Sequence, residues 1–207
     1  MLKKIYRLDY TLELITGLHI GGSSENFDIG GADSEVIKNP LTKEPYIPGS
    51  SIKGKIKSLL LYRYGVLKDD KLVFPAEYNF IKSLFEPVDD KEINITRAVF
   101  RDAMMNEESK IRLENALGKG CYTEIKAENS INPIKGTAAN PRFIERVPAG
   151  VCFDGEINVM VFDDDDEEKM KNAVLEAIKY LESNYIGGSG SRGYGRIKVT
   201  HNGFAEV

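Results

Sequence analysis

A lone acid in a glycine-rich loop is the residue of this chain best suited to chemistry. Two glycine pairs, Gly21-Gly22 and Gly30-Gly31, bracket a polar loop that ends in Asp33. Glycine lets a ligand approach the backbone closely, and a single carboxylate can hold a metal ion or orient a hydroxyl group. Because an aspartate titrates near pH ~4, this one would be ionised at neutral pH and a poor general base. The alternative is an ordinary turn that an aspartate favours.

A serine pair followed by lysines forms a candidate anion site on a predicted helix. The helix begins at Ser50 or Ser51, either of which could cap it, and runs to about Tyr64. Backbone N–H groups at a helix start and exposed ammonium groups bind phosphate without reading bases. A mid-helix glycine costs roughly 1 kcal/mol, which close approach by a ligand would explain; the alternative is a solvated lysine face. The candidate contacts are Ser50, Ser51, Lys53, Gly54 and Lys55.

The charge of the chain is segregated. Residues 163–168 (DDDDEE) supply six carboxylates, more than the whole-chain net charge of −4, so the rest is net positive. A local basic face governs phosphate binding, so overall acidity does not exclude nucleic acid. The two cysteines show no Cys-x-x-Cys pattern and the two histidines stand apart, which disfavours a structural zinc site. No apolar run suits a membrane span or signal peptide, so the expected location is the cytoplasm.

Two short motifs resemble nucleotide-binding sites but stand in the wrong context. Residues 188–193 match GxGxxG, yet they follow a predicted helix and precede a strand, the reverse of a dinucleotide-binding unit. Residues 49–55 match GxxxxGK, but Ile56 replaces the hydroxyl that would bind magnesium. Both a Rossmann site and a P-loop NTPase are therefore disfavoured.

Six predicted elements must position these residues. Alternating apolar residues predict strands, and helical spacing predicts helices. The order is β-α-β-β-α-β, a ferredoxin-like α+β arrangement. The strands are expected at residues 5–15, 96–104, 151–161 and 194–201; one helix is expected at residues 50–64, and the other begins with the acidic run.

The long separation of the second and third strands predicts an insertion. It would occupy about residues 106–148, with an extended finger over residues 129–148. The chain is then a single domain, residues 1–207, whose core comprises about residues 1–105 and 149–207.

Five motifs, spread in order over nearly the whole chain, resemble a known family. They are GLHIGG, IGGADS, PYIPGSSIKGKIKSLL, NPRFIERV and NYIGGSGSRGYGRI. Together they resemble the RAMP superfamily of CRISPR proteins, and more closely the repeated backbone subunit of type III-A (Csm) effector complexes. The resemblance implies a ferredoxin-like or RRM-like core that polymerises along CRISPR RNA (crRNA), with a thumb-like hairpin wedged between guide and target. It also implies that an aspartate, by position Asp33, cleaves target RNA with a divalent metal ion, expected to be Mg²⁺ and held by the same residue.

Contacts with RNA are assigned to individual residues as a hypothesis. Apolar thumb residues would displace a base, and the basic residues would bind phosphate; His19 would either orient phosphate or fill the loop. Glu35 stands where the family has proline, so it receives no family role. The expected contacts outside the helix are His19, Ile131, Ile134, Lys135, Arg142, Arg146 and Arg192.

The resulting prediction is a metal-dependent endoribonuclease that is also a filament-forming subunit and cuts complementary target RNA at regular intervals. The expected partners are crRNA, target RNA, further copies of the chain, and the large polymerase-like, small and end-capping RAMP subunits of a Csm complex, with no membrane. The alternative is a scaffold that binds RNA while another subunit cuts. A nuclease that processes the precursor guide is disfavoured because no histidine or tyrosine motif of that kind is present.

Overall fold

The computed structural model describes residues 1–22, 34–88 and 93–207. Its strands are β1 (Leu2–Leu14), β2 (Tyr46–Ile47), β3 (Val66–Lys68), β4 (Lys71–Val73), β5 (Ala98–Phe100), β6 (Ala103–Met105), β7 (Glu124–Ile131), β8 (Ala138–Arg146), β9 (Cys152–Phe162), β10 (Ile197–His201) and β11 (Ala205–Glu206). Its helices are α1 (Gly49–Tyr64), α2 (Asn79–Phe85), α3 (Glu107–Leu117) and α4 (Glu167–Glu182), with 3-10 turns at Ala76–Tyr78 and Gly190–Arg192.

Strand β1 lies between β10 and β9 in an antiparallel sheet with the order β10-β1-β9-β6-β2. Strand β11 also pairs with β1, and β5 with β9. The side chains of β1 alternate between the two faces: Leu8, Leu12 and Leu14 are at most 1% exposed, whereas Arg7 and Glu13 face solvent. This alternation is the pattern of a half-buried strand. The predicted first strand and the mixed α+β class are confirmed.

Helices α1 and α4 pack against each other and against the sheet. Helix α1 buries Ile52, Ile56 and Leu60, and α4 buries Met170 and Val174, so both predicted apolar stripes are confirmed. Burying one stripe of each helix on the inner sheet face forms the main hydrophobic core. Among the helices of the described ranges, none combines the length and the apolar character that crossing a lipid bilayer requires.

The acidic run lies at the start of α4, as predicted, and it also contacts the segment before β5. The Asp166 side chain caps the helix by accepting a hydrogen bond from the Lys169 N–H at 3.1 Å. Asp165 pairs with Arg97 at 2.8 Å, and both side chains are only 1% exposed. Removing one partner of such a buried pair costs about 3–5 kcal/mol. The pattern of the run alone did not indicate this pair.

The insertion between β6 and β9 contains α3 and the antiparallel hairpin β7–β8, here called the hairpin. The hairpin begins at Glu124, earlier than the predicted finger, because β7 pairs with β8 along its length. Its tip is a closed turn in which the Asn132 Oδ1 atom accepts from the N–H groups of Ile134 (2.9 Å) and Lys135 (3.1 Å). Gly136 sits there at φ 65°, a conformation that favours glycine.

Two predicted strands had wrong boundaries, and one hairpin was not predicted. The second predicted strand is split into β5 and β6, because the Asp102 carboxylate turns away to accept from the Gly49 N–H at 2.7 Å. The last predicted strand starts only at Ile197, since Gly195, at φ 69°, bends the chain before it. The hairpin β3–β4 was not predicted; its turn uses two aspartates at positive φ, a weaker signal than glycine.

Candidate nucleic-acid interface

Three of the motifs that the sequence singles out meet in space. The first is residues 17–22, here called the first glycine segment, and the second is residues 187–195, the C-terminal glycine loop. The third is the base of the hairpin, around residues 144–147. The first glycine segment lies between the other two and is hydrogen-bonded to both. This three-way contact is called the junction below.

Backbone hydrogen bonds hold the junction together. Leu18 and Val147 exchange N–H···O bonds of 2.9 and 2.8 Å, which joins the first glycine segment to the hairpin base. On the other side, the Gly188 N–H donates to the His19 carbonyl at 2.8 Å. A Cβ atom at Gly187 would lie 2.5 Å from the same carbonyl, so this close approach requires glycine. The glycines of the C-terminal loop thus serve backbone packing within the chain.

The loop that carries Asp33 leaves the junction and returns to it. Its two ends are paired: the Gly22 N–H donates to the Glu35 carbonyl at 3.1 Å, and the Ile37 N–H to the Ile20 carbonyl at 2.8 Å. Asp33 itself lies outside the described residues. The next residue, Ser34, forms a β-bridge with Ile144 at the base of the hairpin. The chain directly after Asp33 is therefore attached to the junction.

His19 holds Ser34 from inside the junction. The His19 Nδ1 atom lies 2.7 Å from the Glu145 carbonyl oxygen, so Nδ1 carries the proton and donates. In the neutral ring, Nε2 then accepts from the Ser34 hydroxyl at 3.0 Å. The ring is 9% exposed and both nitrogens are engaged within the chain. Inside the chain the His19 ring thus contacts the residue next to Asp33, and its predicted contact with RNA stays a prediction.

Glu145 is the buried centre of the junction, and the sequence interpretation did not assign it a role. Its carboxylate accepts from the Val36 N–H at 2.8 Å, from the Thr123 hydroxyl at 2.5 Å and from the Lys38 ammonium. Burial alone would raise the pKa of Glu145, but the donors of Lys38, Thr123 and Val36 outweigh it and lower the pKa. The only available signal was that Glu145 is the one acid in the otherwise basic stretch 129–147.

The start of α1 differs from the predicted serine-capped anion site. The cap residue is Pro48, and neither Ser50 nor Ser51 makes a side-chain cap hydrogen bond. The first N–H of the helix, that of Gly49, already donates to the Asp102 carboxylate at 2.7 Å. An internal carboxylate therefore satisfies part of the positive helix end, and the predicted phosphate site here would depend more on the lysines than on the helix start.

The lysines of α1 are held in different ways. The Lys55 ammonium lies 3.6 Å from the ring centroid of Tyr185, and burial lowers its pKa. Lys57, in contrast, is paired with Glu86. Within the part of the chain that the structure describes, Lys53 and Lys55 form no ion pair. A Cβ atom at Gly54 would have no neighbour within 4 Å, so this exposed glycine does not pack against the chain.

Two predicted RNA-binding arginines are engaged by carboxylates of the hairpin. Arg146 Nε lies 2.7 Å from Glu124 Oε1, and Arg192 Nε lies 3.4 Å from Glu128 Oε2. Arg146 also fills the space beside Gly17, where a Cβ atom would lie 2.6 Å from the arginine Cδ. The first arginine therefore packs inside the junction, whereas Arg192, 55% exposed, remains accessible.

The hairpin tip presents the remaining predicted contacts to solvent. Ile131 and Ile134 are 72% and 92% exposed, and Lys135 and Arg142 are exposed as well. In residues 1–22, 34–88 and 93–207, neither of these two cations has an ion-pair partner. Large apolar side chains beside unpaired cations suit contact with bases and phosphates of an RNA strand.

Comparison with known proteins shows the family of the chain. Residues 11–198 match the model of the RAMP superfamily. The chain is 42% identical over 190 residues to the CRISPR system Cms endoribonuclease Csm3 of Streptococcus thermophilus, covering 90% of the chain and 83% of that protein. It is 41% identical over 199 residues to the protein of the same name from Methanocaldococcus jannaschii, covering 92% and 77%.

The fold is also similar to subunits of solved complexes. One is the type III-B Cmr-beta complex bound to cognate target RNA, with a TM-score of 0.59 and 17% identity over 99% of this chain and 61% of that one. Another is the apo state of a Cmr-beta complex, with a TM-score of 0.60 and 13% identity over 95% and 97%. At these identities the likeness concerns the fold alone.

Proposed function

Because the chain belongs to the RAMP superfamily and, within it, to the family of CRISPR system Cms endoribonucleases Csm3, we propose that it is the repeated crRNA-binding backbone subunit of a type III-A CRISPR complex. In that complex it cuts target RNA complementary to the guide, at regular intervals. The observation that carries this proposal is the junction. It anchors the loop of Asp33 to the base of the hairpin and to the C-terminal glycine loop.

The sheet order supports a ferredoxin-like core with an inserted thumb. The strands β10, β1, β9 and β6 correspond to the fourth, first, third and second strands of a βαββαβ unit, all antiparallel. The hairpin is the thumb, since it lies between the second and third of these strands in sequence. The whole chain is one domain, in which the insertion and thumb span about residues 106–148.

Guide binding rests on two lysines that form no ion pair among the described residues and on one exposed arginine that is paired with a carboxylate. Lys53 and Lys55 of α1 supply charge, and Arg192 of the C-terminal glycine loop is exposed enough to exchange Glu128 for a phosphate. Such contacts hold the backbone of any sequence, as a subunit repeated along a guide requires. The partners of the assembled complex are crRNA, target RNA, further copies of the chain and the other Csm subunits.

Cleavage uses the 2′-hydroxyl of the target RNA as nucleophile. A bond forms between O2′ and the adjacent phosphorus while the bond from phosphorus to O5′ breaks. The products are a 2′,3′-cyclic phosphate and a 5′-hydroxyl, with the proton lost from O2′ and one gained by O5′. The hairpin tip unstacks one nucleotide so that its phosphate stands in line for attack. Asp33 orients the 2′-hydroxyl, and the hydrogen bond between His19 and Ser34 fixes the adjacent backbone.

A divalent ion, Mg²⁺ by preference, is part of the proposal. Within residues 1–22, 34–88 and 93–207, no three acidic, histidine or cysteine side chains converge as metal ligands. Mg²⁺ is commonly held by one or two carboxylates together with phosphate oxygens of the substrate, so Asp33 and the RNA would have to supply the ligands. The ion would stabilise charge on the reacting phosphate. The described residues do not form such a site.

Replacement of the nucleophile in the substrate tests this function. The assembled complex is given a complementary target with a single 2′-deoxynucleotide on the 5′ side of one cleavage position. We expect that cut to disappear, the neighbouring cuts to persist, and an all-DNA target of the same sequence to remain intact. Cutting of the 2′-deoxy position at the normal rate would contradict the proposed reaction. The cyclic phosphate end of the products is checked by mass spectrometry.

A further inference from the structure

Tyr185 connects two segments that the proposed function assigns to guide binding. Its ring faces the Lys55 ammonium of α1, at 3.6 Å from the ring centroid. Its other contacts lie in the C-terminal glycine loop: a Cβ atom at Gly190 would be 2.1 Å from the ring carbon Cγ. The half-buried ring therefore lies between the helix and the loop. A side chain at position 190 would remove the ring from this place.

The ring holds Lys55 in a way that leaves its charge available. Other cations of the chain are held by carboxylates, as Lys57 is by Glu86, Arg146 by Glu124 and Arg192 by Glu128. An ion pair orients a cation but also neutralises it toward a third group. An aromatic face orients a cation through its quadrupole and adds no negative charge. Lys55 forms no ion pair within the described residues, so its full charge remains for a ligand.

We propose that Tyr185 is a positioning residue that presents the Lys55 ammonium to a phosphate of the guide RNA. This inference rests on the proposed function, because it presumes that α1 binds the guide. Partial burial of Lys55 beneath the ring accords with it, since a desolvated ammonium interacts more strongly with an anion that reaches it. Tyr185 itself is not required to contact the RNA.

A double-mutant cycle separates positioning from a general structural role. Binding of a fluorescently labelled single-stranded RNA of mixed sequence is measured over a series of salt concentrations. The variants are Lys55→Ala, Tyr185→Leu, Tyr185→Phe and the double variant Lys55→Ala/Tyr185→Leu. Tyr62→Leu serves as the matched control, because Tyr62 lies on the same helix and is 71% exposed. Circular dichroism and thermal unfolding of each variant verify that the fold is retained.

The expected result is specific to the pair. Lys55→Ala weakens binding and lowers the slope of log affinity against log salt by about 0.7, the loss of one phosphate contact on a single strand. Tyr185→Leu weakens binding about two- to fivefold, the range of a partly exposed cation–π contact, and leaves the slope unchanged because the charge is still present. Tyr185→Phe and Tyr62→Leu bind like the wild type. In the Lys55→Ala background, Tyr185→Leu has no further effect.

Two outcomes would overturn the inference, and both are distinct from failure of the proposed function. An equal loss from Tyr185→Leu with and without Lys55 would show that the tyrosine acts independently, by stacking on RNA or by holding the loop. If Lys55→Ala bound RNA with the affinity and the salt dependence of the wild type, Lys55 would not take part in guide binding, and neither would Tyr185 through it. In either case the cleavage test with 2′-deoxy targets still decides the proposed function.

Discussion

The base and the tip of the hairpin are built in opposite ways. At the base, Glu145 is buried and accepts from three donors, and Arg146 is paired with Glu124. At the tip, Ile134 is 92% exposed and Lys135 has no ion-pair partner among the described residues. At the base, these polar side chains are hydrogen-bonded or ion-paired within the chain, whereas at the tip the side chains are exposed and free to contact another molecule. This difference supports the proposal that the base fixes where the tip lies and that the tip contacts RNA.

The largest effect on stability is expected from the centre of the base. Glu145→Ala leaves the Lys38 ammonium and the donors of Val36 and Thr123 without their shared acceptor. When buried polar groups lose a charged partner, the stability of the protein falls by about 2–4 kcal/mol in total. We expect the free energy of unfolding, measured by urea titration, to fall by that amount.

The matched control is Glu124→Ala on the same hairpin, because its partly exposed ion pair with Arg146 contributes no more than about 1 kcal/mol to stability. Equal losses would contradict the distinction between a buried centre and a surface pair.

The tip is expected to show the reverse behaviour. Replacing residues 134–139 by a short glycine linker removes the turn and the two residue pairs next to it but leaves the base of the hairpin intact, so the free energy of unfolding should change by less than about 0.5 kcal/mol. The assembled complex should still bind target RNA, but the discrete cuts should become diffuse, because no nucleotide is held unstacked. Denaturing gels of end-labelled target measure the pattern. Sharp, full-rate cuts from this variant would show that the tip does not set the cleavage position.

The pH dependence of stability sharpens the account of the base. Since the pKa of Glu145 is lowered in the folded state, its contribution is complete above the pKa of the unfolded chain, about 4.3. That contribution is lost as the pH falls through the lowered folded pKa. The difference in unfolding free energy between the wild type and Glu145→Gln should be constant from neutral pH to about 5 and shrink below about 4. A difference that widens on acidification would mean that the carboxylate is not held by these donors.

The smallest effect on cleavage is expected from His19→Ala. The loop of Asp33 loses its bond to Ser34, but the backbone pairs Gly22–Glu35 and Ile20–Ile37 remain. We expect a loss of about 1 kcal/mol in stability and a cleavage rate reduced by less than about tenfold, equivalent to about 1.4 kcal/mol. His201→Ala, at the only other histidine of the sequence, is the control. Complete loss of cutting with normal RNA binding would instead make His19 a catalytic residue.

The sequence predicted the parts of the molecule that depend on local pattern. The alternation of β1 and the apolar stripes of α1 and α4 each follow from one continuous segment, so periodicity was sufficient. The junction could not be predicted in the same way. Glu145 accepts from Val36 across 109 positions of sequence. Such a contact depends on how the insertion returns to the sheet, and nothing in the residues between the two carries that information.

The same reason explains the revised site residues. Ser50 and Ser51 fit the pattern of helix caps, but the carboxylate of Asp102, 53 positions away, satisfies the first N–H of α1. His19 was assigned to RNA because it stands in a glycine-rich motif, and only the folded chain shows that its ring is occupied by Glu145 and Ser34. Tyr185 gave no sequence signal, since an aromatic residue before a glycine loop is common in ordinary cores.

The central claim is that this chain supplies the cutting residue and not only the scaffold, and Asp33→Ala tests it most directly. Complexes assembled with the variant are compared with the wild type and with Glu35→Ala, an acid two positions further on that contributes its carbonyl to the loop. We predict that Asp33→Ala retains assembly and target binding but loses every cut within the guide-paired region, while Glu35→Ala cuts normally. Unchanged cutting by Asp33→Ala would contradict the claim and show that another subunit is the nuclease.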